Sequence, residues 1–190
     1  RIGRAIGLDM LTGRALWEGA LPVNRVYDLD LMGSTLAVCG SMIVDSNDKI
    51  DNASTTQIVA AIDARTGDPV RIMDQLGVSM PRWIRVTGDN ALIAATGAHI
   101  LSFDLEAAGL NWAFTSEDQS GHGGAGWIAG KQLIVLDDIY NKVYSIDRET
   151  GVLINDTIEW VTDRGWVDVR MHDNRVLVSN PGGLSVFSAD

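Results

Sequence analysis

The chain has 190 residues, of which 46% are hydrophobic and 21% are charged, and this composition is typical of one globular domain with a sizeable core. The formal net charge of −10 disfavours binding to nucleic acid phosphates and to anionic lipid surfaces. No apolar run approaches the ~18 residues of a membrane-spanning helix. The single cysteine, Cys39, excludes an intrachain disulfide and a cysteine-based zinc cage, and is expected to be a small buried side chain.

A short phrase recurs along the sequence with gradual loss of its residues. It reads IGLDMLTGRALW from Ile6, AAIDARTGDPV from Ala60, LSFDLEAAGLNW from Leu101 and YSIDRETGVLI from Tyr144. The recurring acidic positions are Asp9, Asp63, Asp104 and Asp147, and Ser188 holds the same place in a last stump, LSVFS. Successive spacings of 54, 41, 43 and 41 residues indicate a repeat of about forty residues.

The segments between these phrases have the composition of short β-strands. They are rich in β-branched and aromatic residues, and Gly, Asp and Asn bound them. In chain order we expect strands C and D of a first unit in residues 1–20, strands A to D in 21–75, 80–118 and 122–160, and strands A to C in 164–190. Four strands per repeat predict an all-β fold, a β-propeller of four-stranded antiparallel blades, with about four blades present in a single domain over 1–190.

The D-x-x-T-G part of the phrase is expected at the hairpin between strands C and D of each blade. Asp can accept hydrogen bonds from backbone amides that follow it, and Gly can take the positive φ that closes the turn. This structural role is expected for Asp9, Thr12, Gly13, Asp63, Thr66, Gly67, Asp104, Asp147, Thr150 and Gly151. Trp17 and Trp112 follow their aspartates by eight residues and are expected to pack onto a neighbouring blade. The stretch from Asp45 to Gln57 is predicted to be an exposed loop between strands B and C of the second blade.

The phrase D-x-x-T-G-x-x-x-W, complete only in the first copy, resembles the repeat of the PQQ-like, quinoprotein-type propellers. That resemblance implies either a quinone-dependent dehydrogenase, which would use PQQ and calcium, or a non-enzymatic scaffold such as the periplasmic lipoprotein of the barrel-assembly machine. The dehydrogenases commonly carry a vicinal Cys-Cys pair and a calcium site of Glu, Asn and Asp. This chain has one cysteine and no segment that matches the calcium pattern, so the scaffold group is favoured.

The predicted strands leave the size of the complete ring open. The chain is expected to be part of a larger ring of seven or eight blades. Two alternatives are a compact four-blade ring, in which the last three strands pair with the first strand D, and a ring made of two copies of the chain. A partial ring exposes sheet edges and apolar faces, which favours association with the rest of a propeller or with a second copy.

An aromatic residue lies near the start of each predicted strand A, the innermost strand of a blade. Trp83, Trp127 and Trp166 precede their motif positions by 21, 20 and 22 residues, so equivalent places near one mouth of the channel are expected. The candidate ligand- or partner-binding residues are Tyr27, Trp83, Trp127, Trp166, Arg25, Arg82, Arg164 and His122. Aromatic rings and guanidinium groups can hold a planar anion or a peptide carboxylate. The alternative is that the aromatics pack between blades and the arginines pair with nearby acids.

The sequence contains no nucleophile elbow, no phosphate-binding loop and no Cys/His pair. His99, His122, Asp137 and Asp138 lie on predicted loops of one face, but their spacing does not support a metal site. The main hypothesis is a non-enzymatic binding or scaffold module, without cofactor, that presents a loop-bearing face to a protein or peptide partner. The alternative is a fragment of a PQQ-dependent dehydrogenase. A periplasmic or other extracytoplasmic location is implied by the resemblance alone.

Overall fold

A computed structural model describes residues 3–44, 54–73, 80–88, 90–107, 109–116, 124–137, 142–159, 168–172, 175–180 and 183–188. These ranges contain strands β1 (Gly3–Leu8), β2 (Ala15–Leu21), β3 (Arg25–Met32), β4 (Thr35–Val44), β5 (Ser54–Asp63), β6 (Pro69–Met73), β7 (Pro81–Thr87), β8 (Ala91–Thr96), β9 (His99–Asp104), β10 (Leu110–Thr115), β11 (Ala125–Ala129), β12 (Gln132–Asp137), β13 (Lys142–Asp147), β14 (Leu153–Glu159), β15 (Asp168–His172), β16 (Arg175–Asn180) and β17 (Gly183–Ser188). Within them there is no helix, and hence none with the length and apolarity needed to cross a membrane.

The described strands form five antiparallel sheets, each made of strands that are consecutive in the chain. Sheet 1 contains β1 and β2, sheet 2 contains β3 to β6, sheet 3 contains β7 to β10, sheet 4 contains β11 to β14, and sheet 5 contains β15 to β17. The prediction of an all-β fold with four-stranded antiparallel sheets is confirmed. Apart from β4 and β5, neighbouring strands of one sheet are separated by two to six residues, because a hairpin needs only a few residues to reverse the chain.

The predicted loop of the second unit is shorter than expected. The ladder between β4 and β5 extends to the pair Val44 and Ser54, so residues 54–57 belong to a strand and not to a loop. Two adjacent threonines, Thr55 and Thr56, favour an extended strand because they are β-branched. Residues 45–53, the rest of that predicted loop, lie outside the described residues.

The hydrophobic core lies between successive sheets. Sheets 2 and 3 share one cluster, in which Cys39 and Val59 of sheet 2 lie with Ile84 and Leu92 of sheet 3. A second cluster between sheets 3 and 4 includes Trp83, Ile93, Trp112, Leu133 and Ile146, and a third contains Leu21 of sheet 1 together with Val38 and Ala60 of sheet 2. A central sheet therefore buries side chains on both of its faces, which explains why middle strands such as β8 (ALIAAT) and β12 (QLIVLD) are apolar over most of their length.

Cys39 is fully buried in the cluster between sheets 2 and 3. Burial raises the pKa of its thiol to about 12, because the charged thiolate is poorly solvated there. A thiol-reactive dye at mildly alkaline pH is therefore expected to label nothing in the folded protein and one thiol after denaturation. Rapid labelling of the native protein, measured under conditions where circular dichroism shows it folded, would contradict the burial of this residue.

The two ends of the stack of sheets remain open within the described residues. In sheet 5, β17 pairs only with β16, and in sheet 1, β1 and β2 pair only with each other. The pairing of the last strands with the first strand D, which the compact four-blade alternative requires, is not formed. Apolar side chains are exposed at the first end, among them Ile6, Leu8 and Leu16 of sheet 1.

Candidate functional site

The recurring phrase forms a compact turn that its own aspartate holds together. Oδ1 of Asp9 accepts hydrogen bonds from the backbone N–H groups of Leu11 (3.0 Å) and Thr12 (2.7 Å) and from the Thr12 hydroxyl (2.9 Å). Gly13 has φ of +68° and donates its N–H to the Asp9 carbonyl at 2.7 Å. These bonds favour the charged carboxylate, so the bond from the Thr12 backbone, followed by that from its hydroxyl, lowers the pKa of Asp9.

The same turn recurs at the later aspartates with local variations. At Asp147 the Thr150 backbone and hydroxyl donate at 2.8 and 2.9 Å, and Gly151 has φ of +73°. Asp104 keeps two backbone bonds of 2.7 Å, from Glu106 and Ala107, although its copy lacks Thr and Gly. The predicted role of the D-x-x-T-G residues in closing these hairpins is thus visible in the geometry.

Asp63 has a further partner, because Arg65 donates to both of its carboxylate oxygens at 2.7 and 3.1 Å. The side-chain bond from Arg65, followed by the bond from its backbone, lowers the pKa of Asp63 from 3.8 to about 2. Because the pKa of this carboxyl is lower in the folded state, its charged form stabilises the fold at pH values above the unfolded pKa of 3.8. That stabilisation is lost as the pH falls toward 2.

We therefore expect Asp63→Asn to lower the melting temperature at neutral pH and to have little effect near pH 2, where the wild-type carboxyl is itself becoming protonated. Thermal unfolding followed by circular dichroism over this range is the measurement. Asp68→Asn, which changes an exposed acid of the same turn, is the matched control. If the two variants differed from wild type by the same amount at every pH, the Arg65 pairing would have no part in stability.

Tryptophan side chains join one sheet to the turn of the next. Trp17 of β2 donates its Nε1–H to the carbonyl of Ala64 at 2.7 Å, and Trp112 of β10 donates to the carbonyl of Arg148 at 2.9 Å. In both cases the acceptor is the residue that directly follows the repeat's aspartate in the next sheet. Each indole also lies against the turn glycine, since a Cβ on Gly67 would come within 2.5 Å of the Trp17 ring. The expected packing of both tryptophans onto a neighbouring sheet is observed.

Arg71 takes the tryptophan position between sheets 2 and 3. It follows Asp63 by eight residues, and its Nε and Nη2 donate to the carbonyl of Leu105 at 3.3 and 3.2 Å. Nη2 also donates to the carbonyl of Glu106 at 3.0 Å. The guanidinium thus contacts the same backbone position that an indole contacts at the other two junctions.

The incomplete copies of the phrase now have a physical explanation. Tryptophan occurs in a sheet when the next sheet has a glycine in its turn, as with Trp17 and Gly67 or Trp112 and Gly151. The third copy has Ala108 in place of this glycine, and the preceding sheet has Arg71 in place of tryptophan. The residue eight positions after each aspartate contacts the turn of the following copy. Comparing this residue with the turn sequence of the next copy would have identified Arg71 from the sequence.

Two aspartates on β3 bind the free edge of β7, the innermost strand of sheet 3. Oδ2 of Asp28 accepts the N–H of Ile84 at 3.1 Å, and Oδ2 of Asp30 accepts the N–H of Val86 at 2.7 Å. These N–H groups lie on the side of β7 that faces away from β8, and β7 has no neighbouring strand on that side, so the carboxylates satisfy donors that the ladder does not. Neither aspartate was predicted from the sequence, although the alternation D-L-D within an otherwise apolar strand was a usable signal.

Arg85 connects three innermost strands. Its Nη1 lies 2.7 Å from Oδ2 of Asp28 in sheet 2, and its Nε donates to the carbonyl of Gly126 in sheet 4 at 2.6 Å. The guanidinium also lies 5.8 Å from the centre of the Trp83 ring, a distance typical of a cation–π contact. Arg85 is thus a residue that bridges three sheets, and it was not predicted from the sequence.

The aromatic residues of the predicted collar do not occupy equivalent places. Trp83 pairs with Ala95, which lies four residues after the β8 residue that pairs with Asp104. Trp127 pairs with Ile134, which lies only two residues after the β12 residue that pairs with Asp147. Tyr27 lies at a bulge where the register shifts. The expectation of equivalent positions was wrong because counting residues to the aspartate overlooks bulges and unequal turns. In the other sheets, the residues at the register position of Trp127 are Asp30, Arg85 and Arg170.

Each collar residue has a different environment. Trp83 is buried between sheets 3 and 4, and a Cβ on Gly126 would meet its ring at 2.4 Å, as the packing alternative expects. Tyr27 is half-buried, with its hydroxyl 2.9 Å from the Ser41 hydroxyl, and Trp127 is half-buried. Arg25 and Arg82 are exposed. Trp166, Arg164 and His122, like Asp138, lie outside the described residues, and the ligand-binding role of the collar stays a prediction.

PQQ and calcium do not fit the residues that the structure describes. A planar quinone needs aromatic rings that converge, but Trp83 is enclosed between two sheets and Tyr27 and Trp127 are at different register positions. In the described ranges, no group of three or more His, Cys, Asp or Glu side chains is arranged to hold a metal ion. The structure therefore offers no geometry from which a quinone-dependent step can be derived.

Solved structures that resemble this chain are β-propellers at low sequence identity. BamB from Moraxella catarrhalis matches with a TM-score of 0.66 and 15% identity, over 98% of this chain and 52% of BamB. The WD40 β-propeller domain of Doa1 matches with a TM-score of 0.63 and 13% identity, over 94% of this chain and 56% of that one. The computationally designed Ika4 protein matches with a TM-score of 0.63 and 14% identity, over 93% of this chain and 99% of Ika4.

No protein-family model and no curated protein matches the chain. The chain spans about half the length of BamB and of the Doa1 structure. Similarity at these identities carries the fold and not the activity. The antiparallel four-stranded sheets, their stacking face to face and the likeness to solved propellers together identify the chain as a β-propeller built from four-stranded blades.

Proposed function

We propose that the chain is a non-enzymatic binding or scaffold module of the PQQ-like propeller kind, with a protein or peptide partner and no bound cofactor. The observation that carries the proposal is the structural use of the recurring residues. The carboxylates of Asp9 and Asp147 close turns, and the indoles of Trp17 and Trp112 join sheets. The repeat therefore builds a rigid platform, and specificity is left to surfaces outside the repeat.

A protein partner is supported in general terms by the propeller fold that the chain shares with BamB and with the WD40 domain of Doa1. Exposed apolar side chains on sheet 1, such as Ile6 (55%) and Leu8 (57%), are available for such a contact. An extracytoplasmic location and membership of a larger ring, both implied by the PQQ-like resemblance, belong to the same proposal.

The test compares protein binding with cofactor binding. Proteins captured on the immobilised chain are identified, and each candidate is then purified and titrated against the chain by calorimetry. A saturable one-to-one complex supports the proposal. In parallel, PQQ and calcium are added in excess and the melting temperature is measured, since a ligand that binds the native state raises it. A rise in melting temperature together with quinone-dependent turnover would replace the scaffold proposal by the dehydrogenase alternative.

A further inference from the structure

Strands β7 and β11 hold the same place in sheets 3 and 4, and each has one edge with no neighbouring strand in its sheet. At this free edge of β7, the N–H groups of Ile84 and Val86 bond to carboxylates of sheet 2. Gly126 of β11 has the same register position as Ile84, and Ile128 has the same position as Val86. The two free edges can therefore be compared donor by donor.

The Gly126 carbonyl shows which backbone groups lie at the free edge of β11. It accepts a hydrogen bond from Nε of Arg85 in sheet 3, so it points away from β12. In an antiparallel ladder the N–H and C=O of one residue lie on the same side of the strand, and alternate residues share that side. The ladder between β11 and β12 has no register shift, so the N–H of Ile128 lies at the free edge as well.

Sheet 3 places no acceptor side chain opposite these donors. The register positions of Asp28 and Asp30 in sheet 2 are held in sheet 3 by Trp83 and Arg85, whose side chains only donate hydrogen bonds. Trp83 lies against Gly126, which is buried. Ile128 is half-buried, and no described residue accepts its N–H. Sheets 3 and 4 are both described at these positions, so the comparison is independent of the ends of the chain.

Arg85 brings a positive charge and an available donor to the same edge. Its Nη1 bonds to Oδ2 of Asp28 at 2.7 Å, and its Nε bonds to the Gly126 carbonyl at 2.6 Å. Nη2 has no hydrogen-bond partner among the described residues, and the side chain is 21% exposed. Nε and Nη2 carry parallel N–H bonds on one side of the guanidinium, so Nη2 points toward β11 beside the Gly126 carbonyl.

Asp28 shows how one carboxylate uses such a pair of donors. Its Oδ2 accepts the N–H of Ile84 at 3.1 Å and Nη1 of Arg85 at 2.7 Å, so it bridges a free-edge amide and the guanidinium. Nη2 of Arg85 and the N–H of Ile128 are the same two kinds of donor on the side of sheet 4. A second carboxylate suits them, because charge-assisted hydrogen bonds are stronger than neutral ones.

We propose that Nη2 of Arg85 and the N–H of Ile128 form a binding site for a carboxylate group. Asp28 already offsets part of the Arg85 charge, so one carboxylate alone binds weakly and a larger ligand must add further contacts. The expected source of the group is therefore an aspartate or glutamate side chain of a peptide partner, and a free small carboxylate is the other source. This inference rests on the proposed scaffold function and names the chemistry of its partner.

The experiment follows the backbone amide signals of the isotope-labelled 190-residue chain by NMR during titration. The probes are the acetylated peptide amide Ser-Glu-Ser, its Ser-Gln-Ser counterpart, and acetate. The glutamate peptide is expected to shift the Ile128 amide proton downfield in a saturable way. The glutamine peptide is expected to bind about tenfold or more weakly, which corresponds to at least ~1.4 kcal/mol. Added salt is expected to weaken the glutamate peptide only, because it screens the charge of Arg85.

The variant Arg85→Gln is expected to bind the glutamate peptide about tenfold or more weakly than wild type, since it removes the charge and the paired donors. Its matched control is Arg14→Gln, which removes the same charge from an exposed turn of sheet 1 and is expected to bind as wild type does. If Arg85→Gln does not fold, the comparison of the two peptides on the wild-type chain still decides. No shift of the Ile128 amide with any probe, equal binding of the two peptides, or an equal loss in both variants would overturn the site.

Acetate separates the two sources of the carboxylate. Saturation by the peptide at a concentration at least tenfold lower than by acetate supports an acidic peptide, whereas equal concentrations would overturn the peptide and assign the site to a free carboxylate. A partner protein that binds Arg85→Gln as tightly as wild type would also overturn the peptide source and leave the scaffold proposal standing. Quinone-dependent turnover with the Ile128 shift intact would overturn the scaffold proposal and leave the carboxylate site standing.

Discussion

Trp112→Ala is expected to lower the free energy of unfolding by about 3–5 kcal/mol, because it removes a buried indole and leaves a cavity between two sheets. The same change removes the hydrogen bond to the carbonyl of Arg148, whose length is 2.9 Å. Equilibrium unfolding in urea, followed by circular dichroism, measures the difference. The indole joins sheet 3 to the turn of sheet 4. The dependence of the unfolding free energy on urea concentration will therefore also show whether the two sheets still unfold together.

Trp112→Phe is the control for this prediction, because it keeps an aromatic ring in the cluster but cannot donate to the Arg148 carbonyl. It is expected to be intermediate, with the lost hydrogen bond contributing about 1 kcal/mol and the smaller ring the remainder. If Trp112→Ala lowered the unfolding free energy by less than about 1 kcal/mol, the indole could not be holding the two sheets together.

Gly151→Ala is expected to be the second most damaging change, for two separable reasons. A side chain at φ of +73° is strained by about 1–2 kcal/mol. A Cβ at this position would also lie 2.7 Å from the Trp112 ring, and such overpacking adds about 1–3 kcal/mol. The unfolding free energy in urea is again the measured quantity.

Gly13→Ala separates the two contributions. Gly13 has a similar φ of +68°, but no described atom lies within 4 Å of an added Cβ, so only the backbone strain should appear. The double variant Trp112→Ala/Gly151→Ala should likewise retain the strain and lose the overlap, so that its effect is smaller than the sum of the two single changes. Equal effects of Gly13→Ala and Gly151→Ala, or full additivity in the double variant, would contradict the proposed contact between the indole and the turn.

The order of strands and the turn chemistry were predictable from the sequence. Five strands, β4, β6, β8, β10 and β12, begin and end with the runs TLAVCGSMIV, PVRIM, ALIAAT, LNWAFT and QLIVLD that the sequence predicts as strands. The Asp9 turn was predictable because its partners lie within five residues of the aspartate, so the local sequence contains every group that forms the bonds. In the second unit, by contrast, polar threonines were taken for a loop although the ladder continued through them.

The candidate site was less predictable, because its contacts join residues that are far apart in the chain. Asp28 and Ile84 are separated by 56 residues, and Arg71 and Leu105 by 34. Trp83 and Trp127 lie at different register positions because the turns between each tryptophan and its aspartate differ in length, and a residue count cannot show which turn is longer.

The amino-acid sequence by itself determined the local structure of this protein: which segments are strands, where hairpins turn, and that the units repeat about every forty residues. Those features depend on side-chain periodicity and on short-range hydrogen bonds. Only the tertiary structure decided which residues meet across sheets, including the Asp28 and Asp30 bonds to β7, and which apolar side chains remain uncovered. The physical reason is that leucines such as Leu29 read as core residues in any strand, and their burial depends on whether a neighbouring sheet is there to cover them.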